Sequence, residues 1–218
     1  MAVERIPIAD RAQWLSRRKF DITASSVGAV FGVHPFISGL KLYVQKQGLI
    51  DLADQPDSGP LRRGRILEHA IPAAAAEQRP QWELQKNNDY FTDHALGLGA
   101  TPDFFISGDS RGPGILQAKT AAPVTYDKEW RDGAPYWVRL QLGTELMLAG
   151  VSWGAIGCLV IDPYELPFIL FETGRDAAME QKIRDGVTAF WKRIEEGDEP
   201  RRLRRRSRTS DQAVSKAG

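Results

Sequence analysis

The sequence predicts an α/β protein with a small mixed β-sheet flanked by helices. Helical segments come first, a β-hairpin lies at the centre, and a helix separates that hairpin from two further strands. This alternation of helices and strands is typical of a sheet covered by helices. With 218 residues and 42% hydrophobic composition, the chain is long and apolar enough for one core. We therefore expect one domain over residues 1–200, followed by a basic tail over residues 201–218.

Charge is distributed unevenly, although the net charge is only +1. Residues 201–208 contain six arginines, whereas residues 1–200 hold 22 basic and 27 acidic side chains, a net charge of −5. We interpret the tail as a solvated, disordered end. A second interpretation is additional electrostatic attraction to nucleic acid. The two interpretations are compatible, and composition does not decide between them.

Two features bear on the cell compartment. The single cysteine, Cys158, excludes an internal disulfide framework, and its apolar surroundings favour a buried, inert thiol. The longest apolar stretches are too short and too interrupted to cross a bilayer, and the N-terminus carries acidic and basic residues in place of a signal peptide. We expect a cytoplasmic protein.

The N-terminal part predicts three short helices. The first covers residues 8–18, the second follows Thr23 as its N-cap, and the third covers residues 40–47. Ser25 would lie in the first turn of the second helix. Because a helix N-terminus offers free N–H groups, Ser25 and nearby Arg18 are candidates to hold a phosphate, although capping alone is the simpler interpretation.

A further helix over residues 61–71 follows a polar loop at 50–60. Pro72 lacks the N–H that would bond the carbonyl of Glu68, so the helix should kink or break there. Glu68 therefore lies at an irregular point of the helix. Taken alone, it would be interpreted as an ordinary surface glutamate.

The centre of the sequence predicts strands joined by tight turns. Residues 81–91 read as one strand, and a turn at 93–97 leads to the next. A hairpin follows, in which residues 104–107 pair with a strand that ends at Lys119, across a turn at 108–113.

The hairpin brings together the side chains that carry the functional hypothesis. Residues two apart in a strand share a face, so Gln117 and Lys119 point the same way and Ala118 points into the core. Asp103, at the start of the partner strand, can meet both side chains. Oxygen ligands beside a lysine suit a hard cation such as Mg²⁺ and a phosphodiester.

Beyond the hairpin, the sequence predicts an irregular stretch, a helix, two apolar strands and a last helix, over residues 123–135, 136–149, 153–161, 168–172 and 175–195. In the first of these helices, Gln141 and Glu145 fall on one face at i, i+4. The strand–helix–strand connection from 119 to 161 could join parallel strands.

These motifs resemble those of the lambda-exonuclease branch of the PD-(D/E)xK nuclease superfamily, also called the YqaJ-type viral recombinases. The matching motifs occur in the family's order and are Arg18 with Ile22-Thr23-Ala24-Ser25, Gly64-x-x-x-Glu68, Asp93, Pro102-Asp103, Gln117-x-Lys119 and Gln141. The resemblance implies a restriction-endonuclease-like core.

The same resemblance implies a 5′-to-3′ exonuclease that acts on linear double-stranded DNA and leaves 3′ overhangs for single-strand annealing recombination. It implies Mg²⁺, with two ions per site, for which Mn²⁺ can substitute. It further implies a phage or prophage protein of a bacterial host cell. Its partners would be DNA ends, a single-strand annealing protein and two further copies in a homotrimer.

By this resemblance, Asp103 would bind metal directly and share it with the backbone carbonyl of Ala118. Gln117 occupies the third metal-binding position. Glu68 would support the metal site from its helix, directly or through water, and Asp93 would be an accessory acid.

The remaining roles concern water and phosphate. Lys119 would orient and activate the attacking water and stabilise charge on the phosphoryl oxygens. Gln141 would help to position that water or the metal site. Arg18 and Ser25 would bind a DNA phosphate.

Gln117 departs from the family, which has a metal-binding glutamate there. At an effective dielectric constant of about 20, the lost charge weakens binding of a dication about 4 Å away by roughly 4 kcal/mol or more. Three explanations remain open. The favoured one is an engineered isosteric change that traps a DNA complex, since the rest of the site is intact. The others are a natural change compensated by Glu68 or Asp93, and a catalytically silent DNA-end-binding protein. An endonuclease of the same superfamily is a further alternative.

Overall fold

The computed structural model describes residues 2–50 and 59–200. Within these ranges the strands are β1 (Glu4–Pro7), β2 (Ile22–Thr23), β3 (Glu83–Lys86), β4 (Asp89–Asp93), β5 (Leu98–Ala100), β6 (Phe104–Ser107), β7 (Gly114–Ala121), β8 (Trp153–Val160) and β9 (Phe168–Gly174). The α-helices are α1 (Arg11–Phe20), α2 (Val27–Val30), α3 (Gly39–Lys46), α4 (Gly59–Leu67), α5 (Ile71–Gln78), α6 (Pro123–Glu129), α7 (Tyr136–Ala149) and α8 (Ala177–Glu196). The predicted tail and most of the loop predicted at 50–60 lie outside the described residues.

The larger sheet has the strand order β3-β6-β7-β8-β9. Its central strands, β7 and β8, run parallel from the pair Gly114–Trp153 to the pair Ala121–Val160, and its other neighbours are antiparallel. Helix α7 makes the crossover between them, so the predicted parallel connection is confirmed. α5 packs on one face of these strands and α7 on the other, which explains why β8 is buried along its whole length.

The smaller sheet has the order β1-β4-β5-β2 and packs against α7 and α8. Helix α7 therefore contributes to two cores. Its residues Leu140 and Leu148 face the smaller sheet, whereas Leu142 and Leu146 face β7 and β8. A helix that is apolar on nearly all sides is typical of such a central position.

The strand predicted over residues 81–91 is in fact two strands, β3 and β4, which belong to different sheets. Asn87 separates them. Its Oδ1 accepts from the Asp89 N–H at 3.0 Å, and its Nδ2 donates to the Asp89 carbonyl at 2.8 Å. An asparagine that bonds its own backbone in this way replaces the ladder of a sheet with a turn.

Residues 123–135 were predicted to be irregular, and this was wrong for the first half, which forms α6. Pro123 occupies the first turn, where its missing N–H costs nothing and its fixed φ suits a helix. The kink predicted before Pro72 is confirmed, because a 3-10 turn at Glu68–Ala70 separates α4 from α5. The last helix is also confirmed, and its Ile183 and Val187 are buried in the core beside the smaller sheet.

Two observations concern the expected compartment. Cys158 is fully buried, and burial raises the pKa of its thiol to about 12, so the thiol is inert as predicted. No helix in the described part of the chain combines the length and the apolar composition that crossing a bilayer requires.

Candidate active site

The β6–β7 hairpin places Asp103 directly beside two residues of β7. Its Oδ2 accepts hydrogen bonds from Gln117 Nε2 at 2.5 Å and from the Ala118 N–H at 2.8 Å. The backbone on either side is also held, because the Asn87 N–H donates to the Asp103 carbonyl at 3.0 Å and Asn87 Nδ2 to the Pro102 carbonyl at 3.0 Å. The turn that splits the two sheets therefore also positions Asp103.

Helix α7 connects to the same strand through a short chain of polar side chains. Lys119 Nζ donates to Gln141 Oε1 at 3.0 Å, and Gln141 Nε2 donates to Glu145 Oε1 at 3.0 Å. An ammonium can only donate, so Lys119 must face Gln141 Oε1, and the Gln141 amide nitrogen is left to donate to Glu145. Lys119 also lies over the Trp137 ring, with Nζ 5.8 Å from its centroid.

Glu145 is a residue of this site that sequence reasoning did not select. Its side chain is 1% exposed, and its Oε2 has no hydrogen-bond partner among the described residues. Burial, followed by repulsion from Asp103, raises the pKa of Glu145 well above its usual value. The available signal was its i, i+4 spacing from Gln141 within an otherwise apolar helix.

Gln117 is 2% exposed, and its Oε1 is likewise buried with no hydrogen-bond partner in the described structure. The pKa of Asp103 is raised, mainly by burial, while Lys119 and the Ala118 N–H favour its charged form. The unpaired oxygens of Gln117 and Glu145 and the desolvated carboxylate of Asp103 therefore lie on adjacent elements of the fold.

Arg18 and Ser25 also lie together, with Arg18 Nη2 donating to Ser25 Oγ at 3.0 Å. The guanidinium stacks on Trp14, 4.2 Å from the ring centroid, and makes no ion pair with any described carboxylate. Burial lowers the pKa of Arg18 to about 10, which leaves it charged at neutral pH. The predicted helix after Thr23 is a 3-10 turn over Ala24–Ser26 followed by the four residues of α2. The charge for a phosphate therefore comes from Arg18, with little contribution from a helix dipole.

One cavity of about 320 Å³ joins these groups. It is lined by Trp14, Arg18, Thr23, Ala24, Ser25, Glu68, Lys86, Asn87, Thr101, Pro102, Asp103, Gln141 and Glu145. Gln117 and Lys119 lie next to its wall, since each is hydrogen-bonded to a lining residue. The lining of the cavity thus combines acidic groups, among them Asp103 and Glu145, with the basic group of Arg18.

The other two predicted acids occupy different surroundings. Glu68 lines the cavity but is ion-paired with Lys86. Asp93 does not line it; its Oδ1 accepts from the Leu96 N–H at 3.2 Å and caps the turn between β4 and β5. The structure therefore brings Glu68 to the site and leaves Asp93 outside it.

A larger cavity, of about 400 Å³, lies between α6 and the segment that joins β8 to β9. It is lined by Pro123, Tyr126, Asp127, Val160, Asp162, Tyr164, Glu165, Pro167 and Ile169. None of the predicted site residues faces it, so size alone does not identify the functional cavity.

The donor set of the smaller cavity fits a hard divalent cation. The described residues hold no metal-binding group of three or more His, Cys, Asp or Glu side chains. They do offer two carboxylates, Asp103 and Glu145, beside the Gln117 carboxamide oxygen and the Ala118 carbonyl. Mg²⁺ accepts carboxylate, amide and carbonyl oxygens alike. The buried, unpaired oxygens of Gln117 and Glu145 are the observation that supports this fit.

Comparison with solved structures shows the same fold in exonucleases. The alkaline exonuclease LHK-Exo from Laribacter hongkongensis superposes with a TM-score of 0.66 at 20% identity, covering 85% of this chain and 93% of that protein. Its complex with dAMP gives the same TM-score at 21% identity. A phage-related exonuclease from Haemophilus somnus 129PT superposes with a TM-score of 0.58 at 14% identity, covering 81% and 94%. The predicted restriction-endonuclease-like α/β fold is thereby confirmed.

At the level of sequence, no curated protein is a significant match. The YqaJ-like viral recombinase domain, in contrast, matches residues 13–152. This range holds every residue of the candidate site, from Trp14 to Glu145, and more than half of the chain. The chain therefore belongs to the YqaJ-like viral recombinase family.

Proposed function

We propose that this protein is a metal-dependent 5′-to-3′ exonuclease that acts on linear double-stranded DNA. The observation that carries the proposal is the arrangement of Asp103, Lys119 and Arg18 around one cavity. An acid suited to a cation, an ammonium and a guanidinium are the groups that hydrolysis of a phosphodiester requires. Family membership and the exonuclease fold support the same activity.

Asp103, with the Ala118 carbonyl and Gln117, would hold the cation. When bound, Mg²⁺ supplies charge neutralisation at the phosphate and lowers the pKa of an attacking water. By family resemblance we expect two such ions, for which Mn²⁺ can substitute. Glu68 lies in the same cavity and would support the site once its ion pair with Lys86 opens.

Lys119 and Gln141 act together at the reacting phosphate. The bond from Lys119 Nζ to Gln141 Oε1 uses one of the three N–H groups of the ammonium. The remaining two would stabilise charge on the phosphoryl oxygens or orient the attacking water. Gln141 therefore serves as a positioning residue.

Arg18 and Ser25 would bind the 5′-terminal phosphate in the same cavity. A guanidinium that has no ion pair among the described carboxylates and rests on an aromatic ring is prepared for a phosphate, since it need not leave one of those carboxylates first. Asp93, which lies outside the cavity, would act through the β4–β5 turn and not on DNA.

The cellular role follows from the family. The 3′ overhangs would enter single-strand annealing recombination with an annealing protein as partner, in the cytoplasm of a bacterial host, from a phage or prophage gene. A homotrimer enclosing DNA is the expected assembly.

A second candidate function is a catalytically silent DNA-end-binding protein. The observation that favours it is Gln117, whose amide already donates to Asp103 and is neutral where the family has a carboxylate. Such a protein would bind DNA ends through Arg18 without hydrolysing them.

One assay separates these functions. Linear duplexes labelled at the 5′ or the 3′ end, and covalently closed circles, are incubated with the full chain and Mg²⁺. The exonuclease releases the 5′ label first and leaves circles intact, whereas an endonuclease of the same superfamily cuts circles. Binding of linear ends without release of either label would establish the silent protein and overturn the exonuclease.

A further inference from the structure

Position 117 lacks a charge, yet helix α7 places a carboxylate in the same cavity. Glu145 lines the cavity with Asp103, and the two repel one another electrostatically. With a cation bound, Asp103 and Glu145 would both be ionised and would together provide two negative charges, the number that an aspartate and a glutamate on the hairpin would provide. The second charge comes from a helix instead of from β7.

One carboxyl oxygen of Glu145 has no hydrogen-bond partner in the described structure, and this favours a cation-binding role. Its Oε1 is held by Gln141, but Oε2 is buried without a partner in the described structure. A buried carboxyl oxygen left without a partner is costly, and proteins either keep such a group protonated or pair it with a cation or a metal. No lysine or arginine of the described chain forms an ion pair with Glu145.

The other acids near position 117 do not show this feature. Glu68 is already ion-paired with Lys86. Asp93 lies outside the cavity and caps a turn. Glu145 is therefore the acid best placed to compensate for Gln117.

We propose that Glu145 supplies, from helix α7, the metal-binding carboxylate that position 117 lacks. A divalent cation is then held between Asp103 and Glu145, with neutral oxygens contributed by Gln117 and Ala118. This inference rests on the proposed metal-dependent nuclease function and accounts for a metal site that has glutamine at position 117.

The test measures metal binding by the full chain without DNA. Protein stripped with EDTA is titrated with Mn²⁺ in a calorimeter, as wild type, Glu145→Gln, Asp103→Asn, Gln117→Glu and the double variant Gln117→Glu/Glu145→Gln. Glu145→Gln is isosteric and keeps an oxygen for Gln141. Glu129→Gln, on the exposed face of α6, controls for a general loss of negative charge.

We expect Glu145→Gln to weaken Mn²⁺ binding by about tenfold or more, since a charged ligand is lost. Glu129→Gln should bind as the wild type does. In the double variant, the carboxylate returns to β7, and binding should recover to within about threefold of the wild type. A purely structural role for Glu145 would show no such recovery, so recovery supports ligation.

Folding is checked by the melting temperature in EDTA, where Glu145→Gln should melt close to the wild type because the neutral amide is isosteric with the buried carboxyl group. If Asp103→Asn weakens Mn²⁺ binding but Glu145→Gln does not, the role of Glu145 is wrong and the proposed nuclease stands. If neither weakens it, the metal site and the proposed function are both wrong.

Discussion

The amide of Gln117 donates a 2.5 Å hydrogen bond to the carboxylate of Asp103. A glutamate at position 117 would instead place a second acid against Asp103. The glutamine therefore stabilises the metal-free site, but it leaves the site with one negative charge fewer for binding a cation.

This relationship predicts that Gln117→Glu makes stability depend on metal. In EDTA, the variant should lose about 1–3 kcal/mol in free energy of unfolding, because a hydrogen bond becomes a repulsive pair of acids. Mg²⁺ should restore this loss and stabilise the variant more than the wild type. Urea unfolding with and without Mg²⁺ measures both. Gln85→Glu, exposed on β3, is the control, and equal behaviour of the two variants would contradict the explanation.

Lys119 provides the second prediction. Lys119→Met should slow digestion of linear duplex by about 10²–10⁴-fold, the usual range for a group that assists proton transfer and charge stabilisation. Affinity for DNA should change little, because the loss falls on the reacting phosphate. Single-turnover digestion and anisotropy binding give the two quantities. Lys128→Met, on the exposed face of α6, should leave both unchanged, and a Lys119 variant as fast as this control would remove Lys119 from the site.

The guanidinium of Arg18, which forms no ion pair with a described carboxylate, predicts recognition of a 5′ phosphate. Arg18→Met keeps an apolar stem on Trp14 but loses the charge, so binding of a 5′-phosphorylated duplex in EDTA should weaken by about tenfold. The slope of log affinity against log salt concentration should decrease in magnitude by about one, the change expected for the loss of one phosphate contact. Discrimination between 5′-phosphate and 5′-hydroxyl ends should disappear. Arg17→Met is the neighbouring exposed control. Retained discrimination in Arg18→Met would place the phosphate elsewhere.

His34 predicts how stability depends on pH. Its Nδ1 accepts from the Phe36 and Ile37 N–H groups at 3.1 and 3.0 Å, and burial lowers its pKa to about 4. The unfolded chain titrates near pH 6.5. Between about pH 6.5 and 4 only the unfolded state therefore binds the proton, and this contribution to stability is lost as pH falls.

The corresponding variant is His34→Asn, which keeps an acceptor for the turn but cannot be protonated. Urea unfolding at pH 4.5, 5.5, 6.5 and 7.5 should show a smaller loss on acidification than in the wild type. His69→Asn, at an exposed position, should keep the wild-type slope. Identical slopes in all three proteins would show that His34 titrates normally.

The hairpin could be predicted from sequence because its determinants are local. Period-two alternation and a six-residue turn place Asp103 opposite Gln117 and Ala118 without knowledge of any distant element. The capping of the turn after Thr23 is local in the same way: the Thr23 N–H donates to Ser26 Oγ at 3.0 Å. These contacts depend on residues that are near in sequence or joined by a tight turn.

Glu145 could not be assigned in this way. Helix α7 is apolar on nearly every side, and the spacing of Gln141 and Glu145 alone does not show which element their face meets. The rotation of helix α7 about its axis is set by packing between the two sheets. The division into two sheets depends in turn on the hydrogen bonds of Asn87, which separates β3 from β4. Asp93 shows the opposite error: it is close in sequence to the hairpin and was predicted to belong to the site, but it caps the turn between β4 and β5.

The most direct test of the proposed site is the rate at which Mg²⁺ supports release of 5′-terminal nucleotides from linear duplex DNA, compared between the wild type and Asp103→Asn. The two side chains are nearly isosteric, so folding and binding of DNA ends should be retained. We predict rapid release by the wild type and a loss of about 10³-fold or more in the variant, because the variant lacks the carboxylate that would hold the cation. Equal rates in the two proteins, or no release by a wild type that binds both Mn²⁺ and DNA ends, would contradict the proposal.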